Sequence, residues 1–200
     1  MTQPLEPVTL QGTYVRLEPL GEQHIDGLTA VGLDPDLWQL GLSMIQSHDD
    51  MAQYVNTALA EHARGVSLPF ATIEQATNTV VGSTRFGNID LAHRRVEIGW
   101  TWIARAWQRS AVNTEAKLLM LSYAFETLGC QRVELKTDKL NQRSRTAILR
   151  LGAVEEGILR KHMITASGRV RDTVYFSIVD DEWATVKTNL QEKLAHHAHS

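Results

Sequence analysis

The sequence predicts an α+β layered domain, a mixed sheet with helices on both faces. Three observations carry this. Short segments alternate apolar and polar residues, and longer segments with apolar residues at helical spacing interleave with them. One strand, Val96 to Ile103, also feeds the long helix after it through a loop of small and donor-rich residues. The order reads β, two helices, three strands, helix, strand, helix, two strands, helix. No repeat or linker interrupts it, so residues 1–200 are expected to form a single domain. Residues 1–10 read as an irregular lead-in and 194–200 as a frayed tail.

Thr13 to Glu18 alternates and is stopped by Pro19, which makes it the first strand. Glu22 to Val31 has helical spacing and ends at Gly32 and Asp34-Pro35, and Pro35 to Leu40 adds a turn. Ser47 to Arg64 is a stronger helix. Ser47 caps it, Asp49 and Asp50 occupy its first turn, and Met51, Tyr54, Val55, Ala58, Leu59 and His62 share a face. Leu68–Gln75 and Thr79–Phe86 flank Ala76-Thr77-Asn78 as a hairpin, and 87–95 returns the chain to the central strand. The next helix, capped by Asn113 or Thr114 with Glu115 in its first turn, stops at Gly129. Arg132 to Thr137 sends Val133 and Leu135 one way and its charges the other. Asn141 to Leu151 is a helix closed by Gly152. Strands at about Ala153–Thr165 and Arg169–Val179 meet at Ala166-Ser167-Gly168, and a last helix spans about Asp181 to Lys193.

A net charge of −3 argues against bulk nucleic-acid binding, and no stretch approaches the length of a membrane span. A single cysteine excludes an internal disulfide framework and fits a reducing compartment. The opening MTQPLEPVTL has neither the basic nor the apolar region of a secretion signal, so the expected location is cytoplasmic. No Walker loop or GxGxxG is present, which counts against ATP or NAD chemistry. Cys130 follows Gly129 with no base in view and reads as a small apolar residue. His196, His197 and His199 lie in the tail and make a poor metal site, so no metal is expected.

The loop Trp107-Gln108-Arg109-Ser110-Ala111-Val112 aims unpaired backbone N–H groups and a helix N-terminus at one point, a geometry suited to a phosphate or pyrophosphate. Any strand–loop–helix unit shares that geometry, so it is unspecific on its own.

The motifs together are more specific. Gly12-Thr13-Tyr14-Val15-Arg16-Leu17-Glu18-Pro19-Leu20, Val96-Glu97-Ile98-Gly99-Trp100 and Trp107 to Ala116 occur in order. They are followed by Asn141-Gln142-Arg143-Ser144, Leu151-Gly152-Ala153, Glu156 to Arg160 and Gly168 to Asp172. In order and spacing this resembles the GCN5-related N-acetyltransferase (GNAT) family, in its RimJ/RimL-type, ribosomal-protein-alanine acetyltransferase-like branch. The resemblance covers nearly the whole chain. It implies the acyl-CoA N-acyltransferase fold, with a largely antiparallel central sheet, and acetyl-CoA as co-substrate. Family habit alone points to a homodimer through the last two strands and the final helix. Two departures stand out: Ala111 and Asn113 occupy places where the family loop usually carries glycine, and Ile148 stands where many relatives have a catalytic tyrosine.

The resemblance implies that Gln108, Arg109, Ser110, Ala111, Val112, Asn113 and Thr114 hold the pyrophosphate, largely through backbone amides. It also implies that Asn141 touches the pantetheine and that Ser144 assists the departing thiol. Asn141 also reads as a helix cap, and Ser144 equally as a solvent-facing serine. Arg143 and Arg145 are near enough to assist a 3′-phosphate, or form a solvated helix face. Acyl transfer to an amine needs a proton acceptor, a donor for the oxyanion and a donor for the thiolate. A backbone N–H near Trp102–Ile103 is a candidate for the oxyanion. Glu97 is a candidate base: strand alternation puts Glu97, Gly99 and Thr101 on one face. Its structural alternative is a strand glutamate paired with Arg94 or Arg85. His162 is a second candidate base, its unperturbed pKa being near 6.5. Among Trp100, Trp102 and Trp107, an acceptor pocket and core packing both remain open.

The expected activity is direct transfer of acetyl from acetyl-CoA to a primary amine, a protein N-terminal α-amine or a small-molecule amine, since no covalent nucleophile is in view. The alternative is a degenerate acyl-CoA- or peptide-binding module without turnover.

Overall fold

The computed structural model describes residues 4–197. Eight strands form one sheet: β1 (Leu10–Gln11), β2 (Val15–Pro19), β3 (Ser67–Glu74), β4 (Thr79–Asp90), β5 (Arg95–Ile103), β6 (Arg132–Asp138), β7 (Val154–Ile164) and β8 (Val170–Val179). Five α-helices accompany it: α1 (Ile25–Gly32), α2 (His48–Ala63), α3 (Ala111–Ser122), α4 (Gln142–Leu151) and α5 (Asp180–His197). The strands lie in the order β1-β2-β3-β4-β5-β6-β8-β7. All neighbours are antiparallel except β5 and β6. The expected α+β architecture, mixed and largely antiparallel, is what the chain forms.

Each face of the sheet has its own core. Val15, Leu17, Phe86, Val96, Ile98, Val133 and Leu135 pack against Met120 and Leu121 of α3, Ile148 of α4, and Val186 and Leu190 of α5. On the opposite face Ala71, Ile73 and Trp102 pack against Leu28 of α1 and Met51, Tyr54 and Val55 of α2. Burying such side chains is worth about 1.5–3 kcal/mol each, and it fixes which way each strand faces.

Most boundaries follow the local signals. Ser47 caps α2 by accepting from Asp50 N, and Gly152 ends α4 with φ +102°. Four details differ from the sequence expectations. Leu10–Gln11, placed in the lead-in, pairs with β2 as β1. β4 runs on to Asp90, so the return to β5 is a short turn. Helix α3 starts at Ala111, capped by Ser110, whose Oγ accepts from Val112 N; Asn113 and Thr114 are already inside it. Helix α5 continues to His197, four residues beyond Lys193, and 198–200 lie outside the described residues. None of the described helices is long and apolar enough to cross a membrane.

Candidate active site

The site begins where β5 leaves β6. Arg95, Val96 and Glu97 pair in parallel with Arg132, Val133 and Glu134, and the ladder stops there. β6 keeps its pairing with β8 as far as Asp138, while β5 stays with β4 as far as Ile103. The two strands therefore part, leaving the β6-facing edge of Ile98–Ile103 without a ladder.

A β-bulge sits on the parted length. Ser83 pairs with Trp102 but Arg85 pairs with Gly99, so Thr84 alone faces both Trp100 and Thr101. Trp100 takes φ +49°, a conformation that a bulky side chain rarely adopts. Its surroundings hold it there. The ring lies against Gly87, where a Cβ would come within 2.2 Å of it, and the Arg85 guanidinium is 5.1 Å from the ring centre. The bulge also corrects the expected alternation. Glu97 and Gly99 stay on the face of Gly87 and Arg85, whereas Thr101 turns to the α3 face and hydrogen-bonds Thr84 Oγ1 at 2.7 Å.

The α3 side of the parting gathers the expected phosphate loop. Arg109 holds the left-handed conformation, φ +64°, that glycine favours, and this makes the turn into α3. The N–H groups of Arg109, Ser110, Ala111 and Asn113 have no partner among the described residues, whereas that of Val112 is taken by Ser110 Oγ. Gln108 ties the loop to both neighbours, donating to Ile103 O at 2.8 Å and accepting from Arg143 Nη1 at 3.0 Å. Asn141 caps α4 by accepting from Ser144 N, and Arg143, donating to Gln108 from that same first turn, ties it, with Ser144 half-buried, to the loop before α3. Asn113 and Thr114 share a small dent with Ala147, Arg150 and Leu151 of α4. Gln108 to Thr114, Asn141 and Ser144 thus come together. Trp102 and Ile103 are buried, and only their backbone faces the parting; the Trp102 ring packs on Trp38. Arg145 pairs with Glu155 rather than reaching toward the loop. Ile148 is a core residue.

The opposite face holds a pocket of about 300 Å³, lined by Met44, Ile45, Tyr54, Glu61, Arg85 and Trp100, among others. Arg85 is 2% exposed; it pairs with Glu61 at 2.8 Å, and its Nε has no hydrogen-bond partner among the described residues. Trp100 therefore lines a pocket, Trp102 is core, and Trp107 packs partly buried against the main core.

Glu97 and His162 lie on this face, away from Ser144. Glu97 is buried and accepts from Lys136 Nζ at 2.8 Å and from Asn88. Its partner is thus a lysine from the parallel neighbour strand rather than Arg94 or Arg85. Burial lowers the Lys136 pKa, but the hydrogen bond and charge of Glu97, with help from Tyr175, outweigh it and leave the pKa raised. Lys136 also lies 4.6 Å from the centre of the Tyr175 ring, and exposed His162 meets that ring edge-on. A line of contacts therefore runs from Glu97 across β6 and β8 to His162 on β7.

One group escaped the sequence reading. Lys117 of α3 is 5% exposed, and its Nζ donates to Thr101 Oγ1 at 2.7 Å and Thr84 Oγ1 at 3.3 Å. Burial pulls its pKa down to about 7. The available signal was a lysine on the apolar stripe of Ala116, Met120 and Leu121. Glu115, on the same stripe, serves the N-terminal segment instead, its carboxylate accepting from the N–H groups of Thr13, Tyr14 and Val15. Cys130 is buried, and burial pushes its thiol up to about 11, so it is no nucleophile. No cluster of three or more His, Cys, Asp or Glu is placed to hold a metal among the described residues.

Comparison with known proteins agrees with this architecture. The family model described as "Acetyltransferase (GNAT) domain" matches residues 15–154. YdaF of Bacillus subtilis (strain 168), provisionally named a ribosomal N-acetyltransferase, is 33% identical over 105 residues. That match takes in 52% of this chain and 56% of YdaF, so the chain spans little more than half the length of that relative. A GCN5-related N-acetyltransferase from Brucella melitensis superposes with a TM-score of 0.88 at 33% identity, over 96% of this chain and 89% of that one. The RimJ of Mycobacterium smegmatis, solved with CoA-disulfide, shares the fold, with a TM-score of 0.81 at 22% identity over 96% and 97% of the two chains. By family match, sequence relatives and sheet topology alike, this chain belongs to the GNAT family of acetyltransferases.

Proposed function

We propose that the chain transfers acetyl from acetyl-CoA to a primary amine, a protein N-terminal α-amine or a small-molecule amine. The observation that carries this reading is the parting of β5 from β6, with unpartnered amides of the α3 turn on one face and the Arg85–Trp100 pocket on the other. Phosphate oxygens suit the first: free N–H groups, a helix N-terminus and Arg109 all favour negative charge. The missing glycines are no obstacle to that fit. Arg109 already makes the left-handed turn, and Ala111 and Asn113 lie in the helix, where an ordinary φ suffices. The RimJ structure, which contains a CoA species, supports the same assignment.

Acetyl-CoA supplies an acyl group activated as a thioester; the protein's part is to orient it and manage protons. In this reading the N–H groups of the 109–113 turn hold the pyrophosphate, Asn141 borders the pantetheine, and Ser144 donates to the departing thiol. The pocket receives the amine, with Glu97 and His162 on its side of the sheet. Glu97 can act as a base only by releasing Lys136. A soluble, cytoplasmic enzyme without a resident metal is part of the proposal, resting on composition and the single cysteine. A homodimer through β7, β8 and α5 rests on family habit.

A thermal-shift titration with acetyl-CoA, CoA and ATP tests the reading. Both CoA compounds should raise the Tm and ATP should not; saturation at one hundred times Kd is worth about 2.7 kcal/mol. Ser110→Asp and Ala111→Glu, which place a carboxylate in the turn, should abolish the shift. No response to millimolar acetyl-CoA would overturn the assignment. A positive response leads to an acceptor screen by thiol release.

A further inference from the structure

We propose that Lys117 is the proton acceptor of the acetyl-transfer step, reached through the hydroxyl of Thr101. This deepens the proposed function and rests on it. The geometry starts from the bulge. Its adjacent residues serve opposite faces of the sheet, with Trp100 lining the pocket and Thr101 turned to α3. Thr101 is exposed on the length of β5 that has left β6, so its hydroxyl is reachable from the parting. Directly behind it the Lys117 amine is shut off from solvent, 2.7 Å from that hydroxyl.

The setting of this amine is unusual. A buried ammonium is costly unless paired with a carboxylate, and a lysine so placed readily loses its proton. Among the described residues Nζ bonds only two hydroxyls and forms no ion pair. The surrounding elements offer no counter-charge at the amine. From α3, Glu115 is taken up by the 13–15 amides, and Tyr123 packs on Phe86. The core that α3 enters takes Phe86 from β4, Val96 and Ile98 from β5, Val15 and Leu17 from β2, and Trp183, Val186 and Leu190 from α5, and among the described residues no charged group adds to the effect of burial on the amine. Burial accordingly brings the amine near neutrality, the range suited to a base at physiological pH.

Protons and electrons balance in this step. The acceptor nitrogen forms the N–C bond as the C–S bond breaks, and that electron pair goes to sulfur. The proton leaving nitrogen passes to Thr101 Oγ1 while the Thr101 proton passes to Lys117 Nζ. Lys117, left as an ammonium, later returns its proton to water through the same hydroxyl. Lys117 is thus a positioning and proton-holding residue behind Thr101, and no carboxylate has to be freed from an ion pair.

Two measurements test this. In the full chain carrying 13C-labelled lysine, one side-chain resonance should titrate near pH 7 and vanish in Lys117→Met. Thiol release from acetyl-CoA, with alanyl- and seryl-peptide N-termini as acceptors, should show kcat rising through the same pH. Lys117→Met and Thr101→Val should each lower kcat about 100-fold at pH 8 with KM for acetyl-CoA unchanged, and flatten that rise. Thr101→Ser, which keeps the hydroxyl, should restore both. The threonine variants carry the test should Lys117→Met fail to fold. If the resonance lost in Lys117→Met titrates only above pH 9, or an active enzyme keeps its pH profile in Lys117→Met or Thr101→Val, the proposal falls alone. A wild type that releases no thiol with these peptides or with any amine of the acceptor screen overturns the acetyl-transfer reading and this proposal with it.

Discussion

Two lysines are withdrawn from water on opposite sides of the sheet at β5, and their surroundings drive them in opposite directions. Lys136, its side chain 15% exposed, meets the carboxylate of Glu97 at 2.8 Å, and its pKa rises. Lys117 is buried more deeply, meets only hydroxyls among the described residues, and its pKa falls to about 7. Burial opposes charge at both. The partner decides the outcome, so one side of the parting holds a fixed ion pair and the other an amine free to change its charge.

Removing the partner should break the contrast with the largest effect. Glu97→Gln takes from Lys136 the nearer of its two carboxylates, leaving Glu134 at 3.5 Å in a poorly hydrated site, and should cost about 2–3 kcal/mol in urea unfolding. Glu97→Gln combined with Lys136→Met should recover most of that. A single variant no less stable than the double would mean that Lys136 bears no penalty once the carboxylate of Glu97 is gone.

Lys117 should show the reverse. Its pKa is about 7 in the native protein against an ordinary 10.5, so between those values the unfolded chain holds a proton that the native state lacks. Native stability must then rise with pH across that window, and the penalty is complete below pH 7. Lys117→Met should therefore be more stable than wild type at pH 6, by about 2 kcal/mol, with the gap closing toward pH 10. Unfolding curves at pH 6, 8 and 10 for both proteins measure this; a constant gap would show that the amine keeps its charge.

The smallest effect belongs at the surface. Lys187 and Glu126 pair at 2.7 Å, but their side chains are 35% and 45% exposed. Lys187→Ala should change stability by about 0.5 kcal/mol or less, and that difference should shrink in 1 M salt. A loss comparable to that of Glu97→Gln would show that proximity, not burial, governs these pairs.

The sequence carried the fold further than it carried the site. Elements written by local rules were legible: Ser47 caps α2, Gly152 stops α4, and Val133 and Leu135 face the core while their neighbours do not. The Trp100 bulge was not, because no propensity favours a tryptophan at positive φ. Its conformation is imposed by Gly87, Arg85 and Thr84 on the neighbouring strand. That one residue inverted the expected side of Thr101 and hid its link to Lys117. The partner of Glu97 lay equally out of reach, since strand pairing sets Glu134 opposite it and brings Lys136, two residues farther along β6 and 39 positions away in the chain, within reach of its carboxylate. The turn into α3 fell between these cases. Its residues were identified from sequence, but the helix start was placed at Asn113 or Thr114 when Ser110 was the cap.

The carboxylate of Glu115 closes a loop of about a hundred residues onto the Thr13–Val15 amides. A chain emerging from the ribosome must carry those amides, and the edge of β2 beside them, for the whole time it takes to make that loop. At 5–20 residues per second this wait lasts about 5–20 seconds, far longer than a helix or hairpin needs to form. The N-terminal strand can pair with β3 in that interval, but its seal arrives only with α3. Docking of α3 and closure of the N-terminal segment are therefore one late event, and a nascent chain arrested before residue 115 should leave the 13–15 stretch that joins β1 to β2 open to proteases and chaperones.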